Sequence, residues 1–227
     1  MTCCYYDPDF CFCLVRSTVV CWMNLWFVWL EMKCPECLER IHDHAEECPH
    51  CGMTLERLSS AYEGLELEVH DGVHDVAGVL KLETRKQMRA AVKACEKQFE
   101  GVSVAVSFVA LRNEQTLEAY GFYLMNLGEF FRGSVWQTEM VDGRGRVILV
   151  VDVEGKRVGL SYGYYFDGHV REKENFDVLS AGHASLLEGE MVTGCEQILI
   201  SLKGLLKKAV TRANAANAVK TKKGVKR

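Results

Sequence analysis

The sequence predicts an α/β protein, a three-layer α/β/α sandwich with a small mixed sheet, preceded by a small zinc ribbon. Three observations support this prediction. Helical and strand-like segments alternate after residue 73, two of the strands are apolar enough for burial on both faces, and four cysteines in paired spacing precede them. The chain has 227 residues and is 48% hydrophobic, which suits one globular domain plus a small module and excludes collagen-like and wholly disordered classes.

Residues 1–31 form a hydrophobic leader rich in cysteine and tryptophan. Its apolar stretch, 10–30, is interrupted by Arg16 and other polar residues, so it falls short of the ~20 residues that span a membrane. It also lacks the basic region and cleavage site of a signal peptide. We therefore expect Met32 to be the functional start and the protein to be cytoplasmic. The alternative is membrane association through residues 10–30, with the tryptophans at the interface.

The strongest local motif is a doubled Cys-x-x-Cys pattern. The two pairs are ten residues apart: Cys34-Pro-Glu-Cys37 and Cys48-Pro-His-Cys51. Two residues between the cysteines let a tight turn bring both sulfurs to one metal, and four thiolates fill the tetrahedral shell of Zn²⁺. The sequence therefore predicts a zinc ribbon over 32–54, with a structural rather than a catalytic zinc. Gly52 follows the second pair and can supply the positive φ that closes the turn.

The remaining cysteines and histidines have simpler interpretations. His42, His44 and His50 lie near the four cysteines, but the ligand set is already complete without them. Cys95 and Cys195 are isolated on the apolar sides of helical patterns, which predicts buried free thiols. This usage is typical of a reducing compartment rather than of a disulfide framework.

After the ribbon, residues 55–72 predict a linker with a short strand at 65–69, and 73–210 predict the globular body. The apolar periodicities predict helices at 84–100, 114–130 and 191–210, and strands at 102–109, 146–153 and 158–162. Thr84 and Gln87 have the spacing of a capping box at the start of the first helix. Because the ribbon and the body each bury their own apolar residues, we expect them to unfold separately.

Two motifs in the body resemble the TPM domain family, which has members in thylakoid repair of photosystem II and in many bacteria. One is Val73-His-Asp75-Val-Ala-Gly78-Val-Leu80, and the other is the hairpin over 147–164. The family fold is an α/β/α sandwich, its members are described as acid-phosphatase-like, and some bind calcium. The resemblance therefore implies a divalent cation, calcium or magnesium, bound to the body.

By position, the resemblance places this cation at Asp75 and Asp167, with Glu172 as a further candidate. The family's Asp-Asn-Gly is replaced by Gly-Arg-Gly at 143–145, and its Gly-Tyr-Gly-x-Glu ends in aspartate at 163–167. Hard cations need several oxygen ligands, so the missing acid weakens the case for catalysis. From the residues alone, a capping role for the first aspartate and a turn position for the second fit equally well.

Asp142 and Asp152 are candidates to replace the missing acid. Two functions are compatible with this set of acidic residues. The first is an interaction or assembly module that binds a protein partner and has at most weak phosphatase activity. The alternative is a divalent-metal-dependent, acid-phosphatase-like hydrolase of phosphomonoesters.

The charge distribution sets the end of the chain apart. Residues 1–196 hold 31 acidic and 18 basic groups, whereas the last 31 residues hold nine Lys or Arg and no acid. The low apolar content of 211–227 predicts a disordered basic tail. Its charge would allow contact with nucleic acid or an anionic membrane, although no aromatic residues are present for base stacking.

Overall fold

The computed structural model describes residues 4–7, 10–13, 17–19, 28–42, 45–63, 72–112, 115–126, 145–166 and 168–224. The expected strand at 65–69, residues 127–130 of the second expected helix, His44, Asp142 and Asp167 lie outside these ranges.

Small antiparallel pairings occupy the first part of the chain. The strands are β1 (Cys4–Asp7), β2 (Phe10–Cys13), β3 (Ser17–Val19), β4 (Val28–Lys33) and β5 (Arg40–His42). β1 pairs with β2, while β4 pairs with both β3 and β5. The boundary expected between residues 31 and 32 therefore falls inside β4, where Met32 is the register partner of Ile41.

A four-stranded sheet forms the centre of the body. Its strands, in spatial order, are β6 (Val73–Asp75), β7 (Ser103–Val109), β8 (Arg146–Asp152) and β9 (Arg157–Tyr162). The first three strands are parallel, and β9 returns antiparallel to β8. β7 is buried along its whole length because helices cover both faces of the sheet. This confirms the mixed sheet and the strands expected at 102–109, 146–153 and 158–162.

Among the described residues, five helices complete the layers: α1 (Leu55–Ala61), α2 (Leu82–Glu96), α3 (Leu117–Asn126), α4 (Glu172–Leu187) and α5 (Met191–Gly224). Alternate residues of β7 face opposite layers. Val106 and Phe108 pack in one hydrophobic cluster with residues of α2, α4 and α5. Ala105 and Val109 pack in a second cluster with residues of α3 and α1. The three-layer α/β/α sandwich is therefore present as predicted.

The start of α2 differs from the predicted capping box. The helix begins at Leu82, and Lys81 occupies the N-cap without a side-chain cap. The hydroxyl of Thr84 donates to the carbonyl of Lys81 instead, at 2.9 Å. Thr84 lies inside the first turn, so it satisfies a carbonyl there rather than an amide at the helix start.

The second half of the body is more helical than the sequence suggested. α4 was not predicted, and α5 continues through Gly224 although 211–227 was expected to be disordered. Three contacts dock this extension of α5: Ala213 is buried, Arg212 pairs with Glu174, and the hydroxyl of Tyr165 donates to Asn214. Tertiary contacts therefore outweigh the low apolar content of this segment.

The expected linker at 55–72 also contains structure. Thr54 caps α1 by accepting the backbone N–H of Arg57 at 3.1 Å. Leu58 and Tyr62 are buried in the second hydrophobic cluster, which also contains cysteines of the ribbon and residues of α3. The ribbon and the α3 side of the body therefore share one hydrophobic cluster, and the expectation that each buries only its own apolar residues does not match the packing.

Within the described residues, none of the helices combines the length and the apolar character needed to cross a membrane.

Candidate metal centre

The four cysteines lie on two turns with the same backbone hydrogen bonds. In the first turn, Cys34 N–H donates to Glu39 O at 2.8 Å, and Leu38 N–H donates to Cys34 O at 2.9 Å. The second turn repeats this pattern, with Cys48 N–H donating to Met53 O at 2.9 Å and Gly52 N–H donating to Cys48 O at 2.8 Å. The repeated pattern directs the two cysteine pairs toward a common point.

Each turn closes through a residue with positive φ. Gly52 has φ of 71°, as the sequence predicted, and Leu38 holds the same place in the first turn with φ of 61°. The positive φ of Leu38 was not predicted from the sequence, because leucine rarely adopts this conformation. The signal was available, since Leu38 follows Cys37 as Gly52 follows Cys51.

The sulfur atoms are arranged at the spacing of a tetrahedral metal site. Cys34 Sγ lies 3.6 Å from Cys51 Sγ, and Cys37 Sγ lies 3.7 Å from Cys48 Sγ. The four sulfurs all lie within 4.8 Å of one another. A regular tetrahedron with metal–sulfur bonds of 2.3 Å has edges of about 3.8 Å, so the donor set fits one ion such as Zn²⁺. The distances far exceed the ~2.05 Å of a disulfide bond.

The protein environment affects the thiols differently. Burial raises the pKa of Cys34 to about 12, although the backbone N–H groups of Cys37 and Glu36 act against it. Burial also acts to raise the pKa of Cys48, but hydrogen bonds from the backbone N–H groups of His50 and Cys51 and from neighbouring cysteine thiols together outweigh it and lower the pKa to about 7. A bound cation would stabilise all four thiolates, because metal ligation deprotonates cysteine.

Helix α1 supports the second cysteine turn. The guanidinium of Arg57 donates to Cys51 O at 3.3 Å and lies 3.8 Å from the carboxylate of Glu36 in the first turn. One side chain of α1 therefore reaches both halves of the cluster. The sequence carried a signal for this helix in Thr54, a favoured N-cap residue, which the linker interpretation overlooked.

The two neighbouring histidines that the structure describes, His42 and His50, are not part of the cluster. Both are exposed. In the described part of the chain, the four cysteines are the only group of three or more metal-binding side chains whose ligand atoms converge. Four protein ligands leave a tetrahedral ion without an open position for water or substrate, which suits a structural ion.

Asp75, the first candidate for the body's cation site, has a fully buried side chain that is already engaged. Its two carboxylate oxygens accept the backbone N–H groups of Val79 and Leu80, both at 3.0 Å. Arg85 of α2 pairs with the same carboxylate at 2.9 Å. These contacts fit the capping role that the sequence left open, since Asp75 closes the turn between β6 and α2.

Glu172 lies far from Asp75 along the sheet. The pairing register of the sheet aligns Asp75 with Val151 of β8. It aligns Tyr162 of β9 with Val147 of β8. The hydroxyl of Tyr162 donates to Asn175, in the first turn of α4, at 2.9 Å. Four residues of strand separate these levels by about 13 Å. The structure therefore does not bring Asp75 and Glu172 together. Asp167 is outside the described residues, and its pairing with Asp75 stays a prediction.

Asp152, a candidate to replace the missing acid, is also buried and paired. Arg157 donates to its Oδ2 from Nε at 2.9 Å and from a terminal nitrogen at 2.6 Å. Asp152 is the register partner of Val109, whereas Asp75 is the partner of Phe108, so the two acids face opposite layers. They cannot share one ion through the sheet.

No family model and no curated protein matches this chain. Among solved structures, the N-terminal domain of the cg2496 protein from Corynebacterium glutamicum is 15% identical, with a TM-score of 0.42, over 61% of this chain and 82% of that domain. The N-terminal domain of a protein from P. gingivalis is 14% identical, with a TM-score of 0.45, over 68% of this chain and 90% of that domain. At these TM-scores the likeness carries nothing about function.

Proposed function

We propose that this chain is a zinc-stabilised interaction module with a TPM-like body, whose zinc is structural and whose phosphatase activity is at most weak. The observation that carries the proposal is the closed set of four sulfurs at tetrahedral spacing. Zinc is the ion that most commonly takes four thiolates at this spacing in a ribbon.

The charges at the carboxyl ends of the parallel strands support a non-catalytic body. The side chains of Asp75 and Asp152 are buried, and each carboxylate pairs with an arginine and accepts backbone N–H groups. A catalytic cation needs carboxylate oxygens that are free to bind it and an open position for water. Neither aspartate offers such oxygens without first losing its arginine.

The ribbon surface supports a protein partner. Leu38 is 51% exposed at the end of the first cysteine turn, and Pro49 is exposed in the second turn. A bound metal holds these turns rigid before the partner arrives. Their residues therefore lose little further conformational entropy when the partner binds. We place the contact with the partner on these two turns.

Metal analysis of the purified full chain tests the zinc site. We expect close to one zinc per chain, and its loss in Cys37→Ser. Cys95→Ala is the matched control, because Cys95 is a buried free thiol outside the cluster. A native chain without zinc, or zinc that remains in Cys37→Ser, would overturn the metal assignment.

A phosphomonoesterase assay with added calcium or magnesium tests the non-catalytic body. We expect p-nitrophenyl phosphate to be hydrolysed weakly or not at all. Robust turnover that disappears in Asp75→Asn would instead favour the alternative, a divalent-metal-dependent phosphatase. The assay is independent of the zinc measurement, so each part of the proposal can fail alone.

A further inference from the structure

Helix α4 carries a stripe of exposed residues on the side that faces away from the core. Val178 and Gly182 are buried on the other side of the helix, and Gly182 packs closely against the backbone of Gly194 in α5. The exposed residues recur at intervals of four, three and four, which places them on one face of the helix: Phe176, Ser180, His183 and Leu187.

The apolar members of this stripe are strongly exposed. Phe176 is 69% exposed and Leu187 is 56% exposed. Ile200 of α5, also 69% exposed, follows Gln197 by one turn, and Gln197 accepts a hydrogen bond from Ser185 of α4 at 3.1 Å. Ile200 therefore lies beside the second half of α4. The stripe and Ile200 together are called the α4 face below, and grouped exposed apolar residues of this kind indicate an interaction surface.

The stripe has the same spacing in both directions along the helix, which suits a second copy of this chain. When two α4 helices lie antiparallel and cross midway between residues 181 and 182, Phe176 of one copy lies opposite Leu187 of the other. The same register sets Ser180 opposite His183, and a hydroxyl and an imidazole can share a hydrogen bond. Each of these pairs occurs twice, because the arrangement is two-fold symmetric.

The charges of α4 and α5 favour the antiparallel orientation. At the start of α4, where Arg212 of α5 pairs with Glu174, basic groups outnumber acidic ones. The basic groups are Arg171, Lys173, Lys207, Lys208 and Arg212, and the acidic groups are Glu172, Glu174 and Asp177. The other end carries Glu188, Glu190 and Glu196, and no Lys or Arg occurs between Lys173 and Lys203. Antiparallel pairing therefore brings the positive end of one copy to the negative end of the other.

Charges on the neighbouring elements leave this difference in place. Helix α5 packs against α2 through Leu199, whose carbonyl contacts Cys95, and against α4 through Gly194. The charged residues of α2 therefore lie across α5 from the stripe. On β9, Arg157 pairs with Asp152. The turn before β9 carries Glu154 and Lys156, one charge of each sign.

The size of the α4 face indicates a weak, reversible dimer. The 16 residues of α4 extend about 24 Å, and packed helices lie about 8–10 Å apart. Together with the adjacent side of α5, the surface covers roughly 500 Å² on each copy, so a pair would bury about 1,000 Å², at the low end for specific interfaces. Because the stripe contributes no side chain to the core, folding of the single chain does not depend on this contact.

We therefore propose that the α4 face is a dimer interface, which binds the same face of a second copy of this chain in antiparallel orientation. A membrane fits this face less well. Helices that bind membranes have a continuous apolar face and a polar face rich in lysine and arginine. The stripe instead has Ser180 and His183 at its centre and acidic residues at one end.

This interface is separate from the ribbon proposed above as the contact with a protein partner. The ribbon packs in the hydrophobic cluster with α3, on one face of the sheet, whereas α4 and α5 cover the opposite face. Dimerisation would therefore persist if the ribbon had no partner, and the two proposals fail independently.

Sedimentation equilibrium of the full chain over about 2–200 µM tests the proposal. We expect the mean mass to rise from the 25.6 kDa of one chain toward twice that value, with a dissociation constant on the order of 10 µM. Phe176→Asp should weaken the dimer about tenfold or more, since it places a charge in the apolar contact. Leu82→Asp is the matched control, because Leu82 is 68% exposed on α2, outside the α4 face, and it should leave the constant unchanged.

A reversal of charge tests the antiparallel orientation. Lys173→Glu should weaken the dimer several-fold, and adding Glu188→Lys with Glu190→Lys should restore it. A parallel pair would set each of these residues opposite its own copy, so the first change would exchange one like-charge contact for another. A chain that stays monomeric at the highest concentration, or equal weakening by Phe176→Asp and Leu82→Asp, would overturn the interface. Failure of the added lysines to restore the dimer would overturn the antiparallel arrangement.

Discussion

Tyr62, at the end of α1, stacks on Tyr123 of α3, with ring centroids 5.0 Å apart and 30° between the ring planes. The same ring lies 5.3 Å from Tyr120. Tyr62 is only 2% exposed, and burial raises its pKa well above the usual value for tyrosine. Arg57 of α1 also donates to the second cysteine turn. Helix α1 therefore contacts both the metal centre and, through Tyr62, helix α3 of the body.

Replacing this ring should destabilise the whole chain rather than the ribbon alone. Tyr62→Ala removes a buried aromatic side chain, and such truncations lower the free energy of unfolding by about 3–5 kcal/mol. We expect a lower midpoint in urea unfolding followed by circular dichroism, which reports mainly on the helices of the body. Phe176→Ala, at an aromatic residue that is 69% exposed, is the control and should change stability little.

The same contact predicts how metal removal acts. Chelation of the metal should lower the melting temperature of the body along with that of the ribbon, in one transition. Two separate transitions, with the body's melting temperature unchanged by chelation, would contradict the coupling through Tyr62.

Helices α4 and α5 cross at a pair of glycines, and this crossing gives a third prediction. A Cβ on Gly182 would lie 2.1 Å from the carbonyl oxygen of Gly194, whereas a Cβ on Gly204 would meet nothing within 4 Å. Gly182→Ala must push the helices apart and should destabilise the protein by several kcal/mol. Gly204→Ala should stabilise it by about 0.5–1 kcal/mol, because alanine is the better helix former.

The two variants should change the free energy of unfolding in opposite directions, and urea unfolding of both measures this difference. Both substitutions add one methyl group to the same pair of helices, so the higher helix propensity of alanine alone would stabilise both variants. Stabilisation by Gly182→Ala would show that the helices do not cross as closely as described.

Strong local patterns in the sequence predicted most of the sheet and the metal cluster. The apolar runs of β7 and β8 and the doubled cysteine spacing depend on neighbouring residues only, so they could be recognised without tertiary information. By contrast, α4 escaped prediction because it buries few side chains, chiefly Val178 and the close-packed Gly182, while Phe176 is exposed. Its packing against α5 determines its place.

Long-range pairings explain the other differences. The extension of α5 depends on Arg212, whose partner Glu174 lies 38 residues earlier in the chain. The role of Asp75 depends on Arg85 of the next helix, and that of Asp152 on Arg157 across a hairpin. A carboxylate that binds a cation and one that pairs with arginine look alike in a sequence, so the candidate site in the body could not be judged without the structure.

The pair formed by Glu174 and Arg212 gives a fourth prediction, on acid stability. Two hydrogen bonds of 2.7 Å from Arg212 lower the pKa of Glu174 to about 2. The folded pKa is below the unfolded value of about 4.3, so this stabilisation is complete above about pH 4.5 and is lost as pH falls toward 2. Glu174→Gln should therefore lower stability at pH 7 and flatten the loss of stability between about pH 4.5 and 2.

Urea midpoints measured across this pH range check the acid prediction. Glu190→Gln, at an exposed position between α4 and α5, is the control and should keep the slope of the original chain. The pairing would be refuted by a Glu174→Gln variant whose stability falls with acid as steeply as that of the original chain.

The two cysteine turns give the last prediction, because corresponding positions hold different residues in the same conformation. Leu38 and Gly52 both have positive φ, 61° and 71°, and both donate their N–H to the first cysteine of their turn. This conformation is unfavourable by about 1–2 kcal/mol for a residue with a Cβ but not for glycine. Leu38→Gly should therefore relieve strain in the first turn, and Gly52→Ala should introduce it in the second.

Because metal binding and folding of the ribbon are coupled, we expect these changes to appear in metal affinity. Competition with a chromophoric zinc chelator should show tighter zinc binding in Leu38→Gly, by several-fold, and about tenfold weaker binding in Gly52→Ala. Glycine also adds freedom to the unfolded chain, which reduces the gain at the first turn. Leu38→Asn separates the two effects, since asparagine tolerates positive φ with less unfolded-state freedom. Weaker zinc binding in both Leu38 variants would mean that the leucine side chain contributes packing that outweighs the backbone strain.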